Sequence, residues 1–142
     1  MTPKPRTPLR WTAVALLALL ASGCVDLPYD NVSSVELQQL IDQGIPVIDI
    51  RTPGEWRETG IVPGSHTITF FDSNGRVNPR FFEQLQGVVN DPAQPVALIC
   101  RTGNRTTTVS RILVEDLGFQ KVYNVERGIT DWIGRRNPVT RG

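Results

Sequence analysis

Hydrophobic and polar positions follow two different periods along this chain, and the changes of period mark its elements. Val35, Leu37, Leu40 and Ile41 recur at helical spacing. Ser33-x-x-Glu36 ahead of them is a capping box, in which hydroxyl and carboxylate satisfy each other's free backbone N–H groups, and Gly44 supplies a C-terminal cap. Val47 to Ile50 is a short β-branched run, the mark of a buried strand. Thr52-Pro53-Gly54-Glu55 opens a second helix with proline at its first position. Pro63-Gly64 is a turn, and Thr67 to Phe70 reads as a strand. Asn78-Pro79 opens a helix carrying Phe81, Phe82 and Leu85, and Pro95 to Ile99 reads as a strand. Val109, Ile112, Leu113 and Leu117 give a helix closed by Gly118; Lys121 to Val125 gives a strand, and Ile129 to Ile133 a last short helix. Strands that alternate with helices predict an α/β fold, with a parallel sheet covered on both faces. Ligands bind such sheets at the carboxyl ends of the strands. Chemistry falls there at Asp49-Ile50-Arg51, Cys100 to Arg105, and Asn124 to Arg127.

Composition narrows the field. The 142 residues suffice for one domain, and a net charge of +1 with no basic run gives no footprint for nucleic acid. One histidine and two cysteines exclude a zinc site built from Cys and His ligands, and equally a disulfide framework.

The first stretch reads as an address. Lys4, Arg6 and Arg10 precede an apolar run from Trp11 to Ala21, too short to span a bilayer, and small residues follow. Residues 1–23 are therefore expected to form a signal peptide, residues 24–32 a tether, and residues 33–139 the domain. Ala21-Ser22-Gly23-Cys24 resembles a bacterial lipobox, although Ala21 stands where leucine is usual. That resemblance implies lipidation of Cys24, export, and a membrane held only through the lipid anchor. Val25, where inner-membrane lipoproteins often carry aspartate, favours the outer membrane. Removing residues 1–23 takes away three of the 15 basic residues and none of the 14 acidic ones, leaving −2.

Cys100 then becomes the one free thiol. It closes a strand, and Arg101, Thr102, Gly103, Asn104 and Arg105 lead from it into a helix. A strand–loop–helix turn brings backbone N–H groups to the helix mouth, and two arginines add charge, surroundings that favour a thiolate nucleophile. The alternative from composition alone is a buried cysteine with two arginines in water. Four residues separate Cys100 from Arg105, one fewer than in cysteine phosphatases, so the loop suits a single sulfur atom better than a phosphate.

These pieces together resemble a single-domain rhodanese, or rhodanese-like sulfurtransferase. Val47 to Trp56 is similar to the family's first motif. Gly60 to Ser65 is similar to its Gly-His-Ile-Pro-Gly-Ala turn, with Ile61 in place of histidine. Cys100 to Arg105 matches the six-residue active loop, and Gly118-Phe119 with Val122 to Trp132 the closing motif, with Arg127 where a second glycine is common. The resemblance implies a rhodanese-like fold and a Cys100 that accepts a sulfane sulfur from a small donor such as thiosulfate. It would pass that sulfur as a persulfide to cyanide, a thiol or a protein, with no cofactor and no metal. Arg101 and Arg105 would attract an anionic donor. The rivals are a non-catalytic persulfide carrier serving a protein partner and, against the short loop, a cysteine phosphatase or arsenate reductase.

Asp49 and Arg51 are expected to form a supporting ion pair, since buried charges need partners. Glu55 reads as a helix-start residue, His66 as an ordinary polar residue, and Trp56 and Trp132 as core or rim packing.

Overall fold

The computed structural model describes residues 26–142; the expected signal peptide and Cys24 lie outside the described residues. Five strands form one parallel sheet: β1 (Asp30–Val32), β2 (Val47–Asp49), β3 (His66–Thr67), β4 (Val96–Ile99) and β5 (Val122–Val125), in the order β1-β5-β4-β2-β3. The helices are α1 (Ser34–Asp42), α2 (Pro53–Thr59), α3 (Phe81–Gln86), α4 (Asn104–Glu115) and α5 (Gly128–Gly134).

All four residues of β4 are buried because the sheet is covered on both faces. The period of two divides them. Val96 and Leu98, with Ile48 of β2, pack in one core with Phe81 and Leu85 of α3 and Val109 and Leu113 of α4. Ala97 and Ile99, with Val47, pack in the other with Leu37 and Leu40 of α1 and Ile129 and Trp132 of α5. Trp132 is buried and its indole N–H donates to the Pro138 carbonyl, whereas Trp56 is half-buried.

Both capping boxes form, at Ser33/Glu36 and at Thr52/Glu55. Four expectations change. Asp30–Val32 is not tether but strand β1, because its backbone pairs with Tyr123–Val125 and Tyr29 and Val32 are buried. The strand expected over Thr67 to Phe70 shrinks to His66–Thr67. The chain then runs irregularly beside β2, still donating from Ile68 to the Asp49 carbonyl and from Phe70 to that of Ile50. The third helix begins at Phe81, after a turn in which the Asn78 side chain accepts from the Arg80 N–H. Leu117 lies beyond the end of α4 and is exposed; Thr106 and Ser110 share the buried face with Val109 and Leu113.

Candidate active site

Cys100 stands one residue past β4 and is 1% exposed. The Gly103 N–H donates to its Sγ at 3.1 Å, and Sγ lies 3.5 Å from Thr106 Oγ1. The hydroxyls of Thr106 and Thr107 both donate to the Gly103 carbonyl, at 2.9 and 3.0 Å. Thr106 Oγ1 thus lies between the Gly103 carbonyl and the Cys100 sulfur.

The loop carbonyls face away from the sulfur. The Ile129 N–H, in the first turn of α5, donates to the Cys100 carbonyl at 2.9 Å. Thr130 donates to the Arg101 carbonyl from its N–H at 3.1 Å and from Oγ1 at 2.9 Å. Peptide groups are planar and trans, so fixing these carbonyls outward turns the N–H groups of Arg101 and Thr102 the other way. The N–H groups of Asn104, Arg105 and Thr106 open α4 and have no intrahelical acceptor. Of the loop N–H groups, that of Gly103 is the one that reaches Sγ.

Two glycines permit this packing. Gly103 has φ of +93°, and a Cβ there would strike the Glu126 carbonyl. Gly128 has φ of +57°, and a Cβ there would strike the Cys100 and Arg101 carbonyl groups. The loop is thereby pressed against the turn after β5.

Arg51 and Asp49 meet at the carboxyl end of β2. Both side chains are fully buried; Arg51 Nη2 lies 2.7 Å from Asp49 Oδ2, and Arg51 Nε donates to both carboxylate oxygens. Arg51 also donates from Nη1 to Thr59 Oγ1 at 2.7 Å and from Nη2 to the Gly60 carbonyl at 2.8 Å. It therefore caps the carboxyl end of α2, a helix that buries no residue of its own.

Sequence reasoning missed what α2 carries. Glu55 takes the Arg105 guanidinium in a fork, with Nη1 2.8 Å from Oε2 and Nη2 2.6 Å from Oε1. It also accepts from Arg101 Nε at 3.2 Å, while Glu58 accepts from Arg101 Nη2 at 3.1 Å. Partial burial pushes the Glu55 carboxyl up, but the hydrogen bond from Arg105, the bond from the Thr52 backbone, the Arg105 charge and the Thr52 hydroxyl outweigh it and lower it to about 2. Arg101 and Arg105, the two residues expected to attract an anionic donor, are each paired with a carboxylate. The only available signal was charge balance, since two arginines in one short loop require counter-charges from elsewhere. Thr106 was findable as a polar residue on the buried stripe of α4.

Thr102 and Asn104 are exposed at the loop surface, and Glu126 and Arg127 are exposed beside it. Asn124 instead turns to β1, donating to Asn31 Oδ1 at 2.8 Å. Among the described residues no cluster of His, Cys, Asp and Glu is arranged to hold a metal ion.

The fold and this loop define a class. The rhodanese-like domain family matches residues 33–135, and the chain belongs to it. Its sequence is 27% identical over 109 residues to rhodanese-like domain-containing protein 17 of Arabidopsis thaliana, covering 73% of this chain and 68% of the plant protein. It is 29% identical over 119 residues to a tRNA uridine(34) hydroxylase of Chlamydia abortus, covering 78% of this chain and 34% of that protein. With a putative thiosulfate sulfurtransferase of Haloferax volcanii it shares 24% over 130 residues, covering 74% of this chain and 44% of that one. Among solved structures, a polysulfide-sulfur transferase homodimer from Wolinella succinogenes superposes with a TM-score of 0.64 at 23% identity, over 80% of this chain and 79% of that one. The chain thus spans less than half of the chlamydial and archaeal relatives.

Proposed function

We propose that this domain is a sulfurtransferase that carries a sulfane sulfur as a persulfide on Cys100. The observation that carries the reading is the outward fixing of the Cys100 and Arg101 carbonyls by α5, which leaves the loop N–H groups for an anionic sulfur. The likeness to a putative thiosulfate sulfurtransferase supports it.

With thiosulfate as donor, the Cys100 thiolate attacks the outer sulfur. The S–S bond of thiosulfate breaks, sulfite leaves with the electron pair, and Cys100 carries the persulfide anion. Cyanide then attacks the terminal sulfur, thiocyanate departs, and the Cys100 thiolate is restored. Charge developing on either sulfur meets fixed N–H dipoles, as in an oxyanion hole. No general base is needed for a thiolate. In steady-state assays thiocyanate formation is expected to follow ping-pong kinetics and to vanish in Cys100→Ser. Thiocyanate production that survives the substitution overturns the assignment.

The Ala21-Ser22-Gly23-Cys24 segment further supports export and lipidation of Cys24. Strand β1 begins at Asp30, and every strand runs the same way, so such an anchor would enter at the end of the sheet opposite Cys100. The loop would then face away from the membrane. Palmitate incorporation that is lost in Cys24→Ala tests the anchor; no incorporation refutes it.

A further inference from the structure

The Gly103 carbonyl receives more donors than it has lone pairs. Thr106 Oγ1 donates to it at 2.9 Å, Thr107 Oγ1 at 3.0 Å and the Thr107 N–H at 3.2 Å. A carbonyl oxygen carries two lone pairs, so it stays satisfied when one of these donors turns away. The Thr106 hydroxyl is the donor with another place to go, because its Oγ1 lies 3.5 Å from Cys100 Sγ. Thr106 and Cys100 are both buried, which keeps bulk water from supplying the same bond to the sulfur.

Persulfide chemistry moves charge on and off that sulfur. In the thiolate the charge sits on Sγ, and a hydroxyl turned toward it makes a charge-assisted hydrogen bond, stronger than one to a neutral carbonyl. In the persulfide Sγ has two covalent neighbours and the charge sits on the outer sulfur. The Gly103 carbonyl is then the better acceptor for Thr106. The Gly103 N–H, 3.1 Å from Sγ, is backbone and points at the sulfur in both states. The Thr106 hydroxyl rotates about a single bond and can follow the charge.

We propose that Thr106 is a catalytic residue of the discharge half-reaction, its hydroxyl turning from the Gly103 carbonyl to Cys100 Sγ as the S–S bond breaks. The inference deepens the Cys100 persulfide reading and rests on it. The acceptor attacks the outer sulfur, the bond between that sulfur and Sγ breaks, and the electron pair goes to Sγ. The hydroxyl proton stays on oxygen throughout and only its hydrogen bond changes partner. The leaving thiolate is thereby stabilised as its charge develops. In the loading half-reaction the order is reversed. The bond to Sγ belongs to the starting thiolate and is given up as that thiolate attacks the donor. Loss of the hydroxyl therefore slows discharge without slowing loading.

The test uses the full chain and follows two single-turnover rates, loading by thiosulfate read by intact mass and discharge by cyanide read as thiocyanate. Each is taken on the alkaline plateau of its pH profile, where the reacting groups are ionised. Thr106→Val keeps the branched shape and leaves Thr107 on the Gly103 carbonyl. It is expected to slow discharge by about tenfold or more while loading is not slowed. Thr106→Ser restores a hydroxyl and is expected to recover most of the lost discharge rate. Thr107→Val removes a donor from the same carbonyl without touching the sulfur, and its ratio of discharge to loading is expected to stay within about twofold of the native one. Thr106→Ala is read in the same way if the valine variant does not fold. A Thr106 variant without hydroxyl that slows both half-reactions alike or keeps the native ratio overturns the role of Thr106 alone, as does a Thr107→Val protein that loses discharge equally. Native protein that never gains sulfur overturns the persulfide reading and the Thr106 assignment with it.

Discussion

Glu55 and Arg105 are fifty residues apart in sequence and face each other through two hydrogen bonds of 2.6 and 2.8 Å. The contact ties α2 to the first turn of α4. It follows from a chain of smaller ones: Asp49 fixes Arg51, Arg51 caps the end of α2, and α2 then holds Glu55 beside the loop arginines. The nucleophile's surroundings are built by two carboxylates that themselves touch no sulfur.

The Glu55 carboxyl is lowered to about 2 from an ordinary 4.5. A group depressed in the folded state contributes stability that is fully present above its unfolded value and is lost as pH falls through its folded value. The wild type is therefore expected to be more stable than Glu55→Gln at neutral pH, with the gap closing between pH 4.5 and about 2. Urea midpoints of both proteins across that window check it; a gap independent of pH contradicts the clamp.

Removing one partner of the buried Asp49–Arg51 pair strands the other charge where water cannot reach it. Asp49→Ala is expected to cost about 3–5 kcal/mol in denaturant unfolding. Asp49→Val combined with Arg51→Met removes both charges and is expected to recover a large part of that loss. A double variant less stable than Asp49→Ala would show that the α2 cap, not the ion pair, dominates.

Gly103→Ala is expected to lose more than about 2 kcal/mol, because it demands a left-handed residue whose Cβ meets the Glu126 carbonyl. The loop moves off the β5 turn, and sulfur loading falls with it. Gly64→Ala is the control. It has a similar positive φ with open space around its Cβ, so it carries the backbone strain without the collision and spares loading. Equal loss of loading in both would remove the packing argument.

What was legible in the sequence was what is local. The Cys100 loop could be read because strand, glycine turn and helix start are contiguous, and both capping boxes because their partners lie three residues apart. Strand β1 could not: of its three residues only Val32 is buried, and it is held by pairing with residues some ninety positions away. The fork between Glu55 and Arg105 was hidden for the same reason. Glu55 was already accounted for by its bonds to Thr52, and nothing local shows that its oxygens serve a second partner.

The most direct test of the central claim is the intact mass of the full chain after thiosulfate treatment, measured beside Cys100→Ser. The account predicts a gain of one sulfur atom on the native protein, no gain on the variant, and loss of that atom when cyanide is added. Native protein left at its original mass by thiosulfate, or a Cys100→Ser variant that gains the same sulfur, would contradict it.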